Sequence, residues 1–224
     1  MKKHELKRKI SEAATKRYIT NRFFSIASLA ETIGIKESEI LEQFKTRTSI
    51  LQYYYESRVH ICKEQSRLID GYENFSLSEK LSNLFLTMID LFSEEKEFVQ
   101  ITYSALIVKR ECGNNGLKKQ MTNELKELFL GDENISTAGR PFVNRYLFHA
   151  IYLQFHGLIW FWLSDKSPNH ENTLALIDKW SALIEEIFYS KITDKSFDLL
   201  KFLAYNSPLK NFSPKNFKSM SCTQ

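Results

Sequence analysis

The residues best suited to chemistry are two histidines in an aromatic stretch, His149 and His156. They lie seven residues apart, or two helical turns, so both imidazoles could face the same way and bind a metal ion or the polar part of a ligand. No carboxylate stands at an adjacent helical spacing, so the preferred interpretation is a pair of hydrogen-bonded core histidines. The sequence also lacks the GxSxG, HExxH, GxGxxG and P-loop motifs. It therefore predicts no catalytic residue, no metal and no cofactor, and favours a protein that is not an enzyme.

The cysteines do not form a recognisable framework. Cys62, Cys112 and Cys222 are odd in number, widely spaced and free of any CxxC pair, which argues against both a disulfide scaffold and a zinc ribbon. The charged first nine residues are not followed by the apolar core of a secretory signal. These features favour a reducing, cytoplasmic environment.

One segment is apolar enough to be considered as a membrane span. The stretch from 146 to 164 contains no Asp, Glu, Lys or Arg, but His149, Gln154, His156 and Gly157 interrupt it. A spanning helix needs about 20 mostly apolar residues. The segment is therefore interpreted as a buried core helix, and no membrane partner is expected.

Composition and charge narrow the class of protein. Hydrophobic residues make up 43% and charged residues 26% of the 224 residues, whereas Gly 7 and Pro 4 leave little material for a many-stranded sheet. The net charge of +4 is uneven. Residues 1–68 carry 14 basic and 8 acidic side chains, and the remainder carries 17 and 19. A basic module on a nearly neutral body is typical of a nucleic-acid-binding head, although a solvated, Lys-rich first helix would give the same pattern.

The first 68 residues show the pattern of a helix-turn-helix. Apolar residues at helical spacing predict helices over 4–20, 26–33, 37–44 and 47–68. Ser25 and Thr46 are placed to cap the second and fourth helices, and Gly34 ends the second. Two short helices joined by a tight turn and packed on a first helix can present the second of the pair to a major groove. A small apolar set can hold that pair at a steep angle: Leu29, Ala30, Ile33, Ile35, Ile40 and Phe44.

Particular segments carry a family resemblance. Ile10 followed by the Ala13–Ala14 pair, the run SIASLAETIGI at 25–35 and the run FKTRTSIL at 44–51 resemble the N-terminal DNA-binding domain of the TetR family of bacterial transcriptional regulators. Arg47 stands where that family commonly has a lysine. The resemblance implies an all-α fold of about nine to ten helices, in which a three-helix helix-turn-helix domain precedes a larger helical domain for ligand binding and dimerisation.

The resemblance also implies how DNA would be contacted. Candidate phosphate contacts are Ser25, Lys45, Thr46 and Arg47, and candidate base contacts are Lys36, Ser38, Glu39 and Gln43. The segment departs from the family pattern at the end of the first helix, where Asn21 and Arg22 replace a glycine. Lys36 replaces the usual Ser or Thr cap, and Leu41 replaces an aromatic residue that meets a phosphate. The recognition helix also carries three acids that would repel phosphates: Glu37, Glu39 and Glu42.

Beyond residue 71 the sequence predicts helices over 77–92, 98–108, 117–130, 142–163, 173–189 and 197–203. The helices over 142–163 and 173–189 are apolar on more than one face, and in the resembled family such helices form a four-helix dimer bundle. The predicted dimer interface is Ile159, Trp160, Leu163, Leu176, Trp180, Leu183 and Ile187. A monomer core with exposed patches is the alternative.

Aromatic residues are dense in three of these predicted helices. They are expected either to line a cavity for a small apolar or aromatic ligand or to be ordinary core. The residues concerned are Phe85, Phe92, Tyr103, Phe148, Tyr152 and Phe155.

The sequence thus predicts a helix-turn-helix domain over 1–47, a ligand-binding and dimerisation domain over 48–206 and a flexible basic tail over 207–224. The functional hypothesis is a cytoplasmic, homodimeric repressor that binds double-stranded operator DNA and is released by a small apolar or aromatic effector. The alternative is a protein of the same fold that has lost specific DNA binding and carries a ligand or lipid.

Overall fold

The computed structural model describes residues 3–110, 116–190 and 195. The tenth helix predicted over 197–203, the tail over 207–224, Cys112 and Cys222 lie outside these residues. All regular secondary structure in the described part is helical, so the all-α prediction is confirmed. The main helices are α1 Lys3–Thr20, α2 Ile26–Ile33, α3 Glu37–Gln43, α4 Arg47–Ser66, α5 Leu77–Ser93, α6 Lys96–Leu106, α7 Gly116–Leu130, α8 Arg145–Ser164 and α9 Glu171–Tyr189.

Local capping sets the boundaries of the helix-turn-helix. The Ser25 hydroxyl oxygen accepts the Ser28 backbone N–H at 3.0 Å and begins α2, and Gly34 ends α2 with φ +71. Thr46 begins α4 by accepting the Ser49 N–H at 3.1 Å. The apolar set predicted from the sequence lies inside: Leu29, Ala30, Ile40 and Phe44 are buried, and Ile33 and Ile35 pack against the core. Both caps and the turn therefore lie where the sequence predicted them.

Gly34 fixes the angle between α2 and α3, and it offers a test of the turn. An ideal Cβ at this position would meet nothing within 4 Å, so its left-handed φ is the only obstacle to a side chain. Gly34→Ala should lower the free energy of unfolding by about 1–2 kcal/mol. Gly34→Asn should lower it less, because Asn adopts the left-handed region more readily than Ala. Urea denaturation of the three proteins measures this order, and equal stability of the Ala variant and the parent would contradict it.

Helix α4 packs against both the N-terminal helices α1–α3, here called the head, and the later helices α5–α9, here called the body. It contacts α1 of the head and α5 and α7 of the body. Tyr54 and Tyr55 are buried, with Tyr54 edge-on to Phe98 at 5.2 Å between ring centroids and Tyr55 edge-on to Phe92 at 5.5 Å. These aromatic contacts attach α4 to α5 and α6 over its middle turns.

A buried arginine links the head to the body through α4. The Arg58 side chain is 4% exposed, and it donates from Nη2 to Glu12 Oε1 of α1 at 2.7 Å and from Nη1 to Glu94 Oε2 at 3.2 Å. Its guanidinium also lies over the Tyr54 ring, 4.5 Å from the centroid. Glu94 follows directly after α5. One cation therefore joins α1, α4 and the end of α5.

The connection between α8 and α9 is organised by one carboxylate. Asp165 accepts hydrogen bonds from the backbone N–H and hydroxyl of Ser167, at 2.9 and 2.7 Å, and from those of Thr173, at 2.9 and 2.6 Å. Asn169 and His170 between them have φ of 48 and 57. The side-chain hydrogen bonds from Thr173 and then Ser167 hold the pKa of Asp165 well below its usual range. The carboxylate thereby fixes how the chain passes from α8 into α9.

This depressed pKa predicts a sign for the pH dependence of stability. A carboxyl group whose pKa is lower in the folded state stabilises the fold above its ordinary pKa, and that contribution is lost as pH falls. Asp165→Asn should therefore reduce the melting temperature at neutral pH, and the difference from the parent should shrink progressively as the pH falls below about 4, the ordinary pKa of an Asp carboxyl group. Thermal unfolding across a pH series measures the difference. A gap that stays constant with pH would contradict the assignment.

Candidate nucleic-acid interface and dimer surface

The outward face of α3 carries three of the predicted base-contacting side chains in accessible or partly accessible positions. Lys36 and Ser38 are exposed and Glu39 is half-buried. Leu41 is also exposed on this helix. Exposed cationic and hydroxyl groups at the start of a recognition helix can reach base edges or phosphates in a major groove. The geometry therefore keeps Lys36 and Ser38 as the strongest candidates for DNA contact.

Competing roles within the protein involve two of the four predicted base contacts, Glu39 and Gln43. Glu39 Oε1 accepts the backbone N–H of Lys36 at 2.9 Å, so this carboxylate satisfies the first turn of its own helix. Gln43 is half-buried, and it lines a polar cleft of about 440 Å³ in which Lys7, Lys45 and Lys119 also lie. Both side chains are less available for base contact than their positions in the sequence suggest.

The predicted phosphate contacts fall into two groups. Ser25, Lys45 and Thr46 are exposed at the starts of α2 and α4. The hydroxyl oxygens of Ser25 and Thr46 accept capping hydrogen bonds, and the end of a helix with outward N–H groups favours an anion. Lys45 adds a full positive charge beside Thr46.

Arg47 has a structural role that the sequence did not predict. Its Nη1 donates to the backbone carbonyl of Phe24 at 2.8 Å, and its guanidinium lies 5.8 Å from the centroid of the Phe24 ring. The side chain ties the start of α4 to the connection between α1 and α2. A DNA phosphate that bound Arg47 would have to share its guanidinium with the Phe24 carbonyl.

The connection between α1 and α2 also contains two candidate contacts that sequence reasoning missed. Arg22 and Phe23 are exposed, and Phe23 is 86% exposed. Ser25 at the beginning of α2 and Arg47 at the beginning of α4 lie beside them. The unusual FF pair at 23–24 was the available signal, because Phe24 is buried and a second adjacent aromatic residue must then face outward.

The predicted dimer residues divide into an exposed set and one buried exception. Trp160 on α8 is 56% exposed, and Leu183 and Ile187 on α9 are 48% and 49% exposed. Leu163, Leu176 and Trp180 are half-buried at the edges of this surface. Ile159, in contrast, is fully buried within the protomer and packs in its own core. Its assignment to the interface is corrected, since a shift of one residue turns a helical side chain by about 100°.

Neighbouring apolar residues extend the same surface. Leu153 and Phe161 on α8 and Leu174 on α9 are exposed as well. Leu153 and Trp160 are seven residues apart, so they share one face of α8. The apolar surface of α8 and α9 is thus larger than the predicted set.

The predicted ligand-binding residues form a closely packed aromatic core. All six are buried, and their rings touch across helices: Phe85 stacks on Phe155 at 5.9 Å between centroids, and Phe92 lies 6.3 Å from Phe155 and 6.2 Å from Tyr103. Phe148 contacts Phe129 on α7. In this conformation the set fills the interior, and a ligand would have to separate α5, α6 and α8 to enter it.

One polar pair lies among these rings. Tyr103 Oη and His156 Nδ1 are 2.7 Å apart, and the Tyr152 ring is edge-on to His156 at 4.4 Å between centroids. Burial raises the pKa of Tyr103 well above its usual value, so the phenol stays protonated and hydrogen-bonds the imidazole. His156 is thereby a partnered core histidine, in agreement with the preferred interpretation of the sequence.

A shallow groove joins this core to the exposed apolar surface of α8 and α9. Tyr103 lines a groove of about 200 Å³ together with Gln100, Ser104, Trp160 and Leu163. Trp160 belongs to the exposed apolar surface, whereas Tyr103 belongs to the core. The aromatic interior and the proposed interface therefore meet along α6 and α8.

Comparison with known proteins agrees with this architecture. A family model for the tetracyclin repressor-like C-terminal domain matches residues 80–203. A TetR transcriptional regulator from Nitrosomonas europaea has a similar solved structure, with a TM-score of 0.53 and 11% sequence identity over 80% of this chain and 97% of that chain. No curated protein matches the sequence, and no helix in the described ranges is both long and apolar enough to cross a membrane. Because the family model covers more than half of the residues and the fold agrees, the chain belongs to the TetR family of transcriptional regulators.

Proposed function

We propose that the protein is a homodimeric transcriptional repressor of the bacterial cytoplasm that binds a palindromic operator and is released by a small apolar or aromatic effector. The observation that carries this proposal is the capped α2–α3 pair, whose inner face is buried and whose outer face presents Lys36 and Ser38. A helix pair of this kind can insert its second helix into a major groove of DNA. The basic charge of residues 1–68 supports the same role.

Dimerisation is supported by the apolar surface of α8 and α9. A large exposed apolar patch on a water-exposed helix pair is typical of a protein–protein interface. Two protomers related by a twofold axis at this surface would present two copies of α3, one from each protomer. Both copies could then bind a palindromic operator whose half-sites lie about 34 Å apart. About half of each of the Trp160, Leu183 and Ile187 side chains is exposed on these two helices.

Effector control would act through α4. A ligand that separates the rings between α5, α6 and α8 shifts the protein only if it binds the opened state more tightly than the closed one. Arg58 ties α4 to α1 and to Glu94, so a displacement at the end of α5 would reach the head. The aromatic lining is the reason for proposing an apolar or aromatic effector.

DNA binding is tested with the full-length protein and two labelled duplexes, one carrying the region upstream of its own gene and one scrambled. Fluorescence anisotropy across a salt series should show tighter binding of the upstream duplex and an affinity that falls steeply with salt. Lys45→Gln should weaken binding to both duplexes and reduce the salt slope by about 1. Lys36→Ala should weaken binding to the upstream duplex more than to the scrambled one.

The matched control is Lys126→Gln, which removes an exposed lysine from α7 in the body. It should leave both affinities unchanged. Equal losses for Lys45→Gln and Lys126→Gln would show that only overall charge is being measured. The absence of binding to either duplex at low salt would contradict the repressor proposal.

A second candidate function is a ligand or lipid carrier that has lost specific DNA binding. It is favoured by the acids on α3 and by the exposed Leu41, where a phosphate would meet an apolar side chain. Glu37 and Glu42 are exposed beside it. Native mass spectrometry showing a co-purified acyl chain, together with no retention of either duplex at low salt, would support the carrier over the repressor.

A further inference from the structure

A pocket lies between α1 of the head and α4. It is formed by α1 and α4 and encloses about 470 Å³, which is within the usual range of about 300–1,000 Å³ for small-molecule sites. Its lining comprises His4, Glu5, Arg8, Tyr53, Ser57, His60, Ile61 and Glu64. None of these residues belongs to the predicted DNA-binding, ligand-binding or dimer sets.

The inner part of this α1–α4 pocket is rich in hydrogen-bond donors. Tyr53 and Ser57 are buried at its base, and Arg8 and His60 are half-buried in its wall. The Tyr53 hydroxyl is 3.4 Å from His4 Nδ1, a long contact that a better acceptor could replace. Arg8 Nε lies 4.0 Å from Glu12 Oε1, a long distance for an ion pair. A guanidinium, a phenol and imidazoles facing one space favour a carboxylate.

The His60 ring supports the same conclusion. It lies edge-on to His4 with 5.9 Å between centroids, and its Nε2 is buried without a hydrogen-bond partner among the described residues. A buried polar nitrogen that lacks a partner is unfavourable. An acceptor brought in by a ligand, after a turn of the ring, would satisfy it.

The outer part of the pocket has the opposite charge. Glu5 and Glu64 are exposed at its opening, on α1 and α4 respectively. The lining therefore combines two carboxylates with a guanidinium, and these opposite charges suit a molecule with a cationic and an anionic end. Ile61 supplies an apolar wall between the ends.

We propose that the α1–α4 pocket binds a small zwitterion of the amino-acid type, with its carboxylate at Arg8 and His60 and its ammonium group between Glu5 and Glu64. A molecule seated there contacts the first helix of the head and the long helix of the body at once. If the protein is a repressor, as proposed above, this ligand would adjust the position of the head separately from any effector in the aromatic core. The binding step itself does not depend on DNA.

The test uses ¹H–¹⁵N NMR and calorimetry on the full-length protein with three matched probes at millimolar concentration: L-phenylalanine, 3-phenylpropionate without the amine, and 2-phenylethylamine without the carboxylate. L-phenylalanine and the other standard amino acids are titrated in turn. At least one amino acid should bind, shift resonances of α1 and α4, and bind more tightly than its deaminated or decarboxylated analogue. No binding by any amino acid, or resonance shifts confined to other helices, would overturn the proposal.

Variants assign the two ends of the ligand. Arg8→Gln should weaken amino-acid binding about tenfold or more, whereas Arg67→Gln, an exposed arginine after the end of α4, should not change it. Glu64→Gln, at an exposed position, should remove the preference for the amino acid over its deaminated analogue. Equal amino-acid affinities of the Arg8→Gln and Arg67→Gln variants would overturn the assignment of the carboxylate to this pocket. Because binding is measured without DNA, its failure is distinct from failure of the repressor function.

Discussion

Replacing Arg58 with alanine should lower the free energy of unfolding by about 3 kcal/mol and weaken operator binding as well. The substitution removes a buried side chain, two ion pairs to Glu12 and Glu94, and the contact with the Tyr54 ring. The Glu12 and Glu94 side chains are 40% and 57% exposed, so water can hydrate both carboxylates once Arg58 is gone. The loss of stability therefore comes from lost packing and from the lost ion pairs of Arg58. Urea denaturation measures the stability, and anisotropy measures operator affinity.

A second variant separates packing from positioning. Arg58→Met keeps much of the buried volume but none of the ion pairs, and buried ion pairs are often replaced by apolar groups at little cost in stability. It should therefore be more stable than the alanine variant, yet it should lose operator affinity to a similar degree. Arg67→Ala, at the exposed end of α4, is the control and should change neither quantity. An Arg58→Met protein with full operator affinity would show that the tie does not position the head.

Placing a charge on the α8–α9 surface should have the largest effect on DNA binding. Leu183→Glu or Trp160→Glu puts a carboxylate into the apolar patch, which should convert the dimer to a monomer of 26.3 kDa. A monomer binds only one half-site of the operator. It loses the high effective concentration that a dimer provides for binding the second half-site, so operator affinity should fall by about 100-fold or more. Light scattering after size exclusion gives the mass, and anisotropy gives the affinity.

The control places the same charge elsewhere. Leu68 is 83% exposed after the end of α4, so Leu68→Glu makes the same chemical change on a surface not assigned to dimerisation. It should leave mass and affinity unchanged. If Leu183→Glu remained a dimer while still folded by circular dichroism, the interface would have to lie on another face.

Local sequence signals determined most of the helix boundaries. Ser25 and Thr46 cap helices and Gly34 ends one because each of these effects acts within a few residues. The alternation of apolar residues likewise placed Leu29 and Ile40 inside the head. The domain limits near residues 47 and 206 remain predictions.

The functional side chains were harder to predict, because their partners lie far away in the chain. Arg47 donates to Phe24, 23 residues earlier, and Arg58 pairs with Glu12, 46 residues earlier. Neither pairing leaves a pattern in the sequence, and a charged residue in α4 is by default assigned to the solvent. Ile159 and Trp160 show a related limit, since adjacent apolar residues on a helix that is apolar on several faces cannot be assigned to core or surface by type alone.

The aromatic set illustrates why a cavity cannot be inferred from composition. Phe85, Phe92 and Phe155 have the residue types of a ligand site, and they also have those of a well-packed core. Whether these residues line a cavity or fill a core depends on distances of a few ångströms between helices that are remote in sequence. Only the packed arrangement is present in this conformation.

The positions of the tryptophans allow intrinsic fluorescence to report on one surface of the protein. The chain has three, Trp160, Trp162 and Trp180, and they all lie on α8 and α9. Trp162 is fully buried, whereas Trp160 is 56% exposed and loses its contact with water only if a second protomer covers it. Tryptophan fluorescence therefore reports on the α8–α9 surface and not on the head. Dilution through a dissociation equilibrium should shift the tryptophan emission towards longer wavelength, mainly through Trp160 because Trp180 is already half-buried in the protomer, and a Trp160→Phe protein should show a smaller shift.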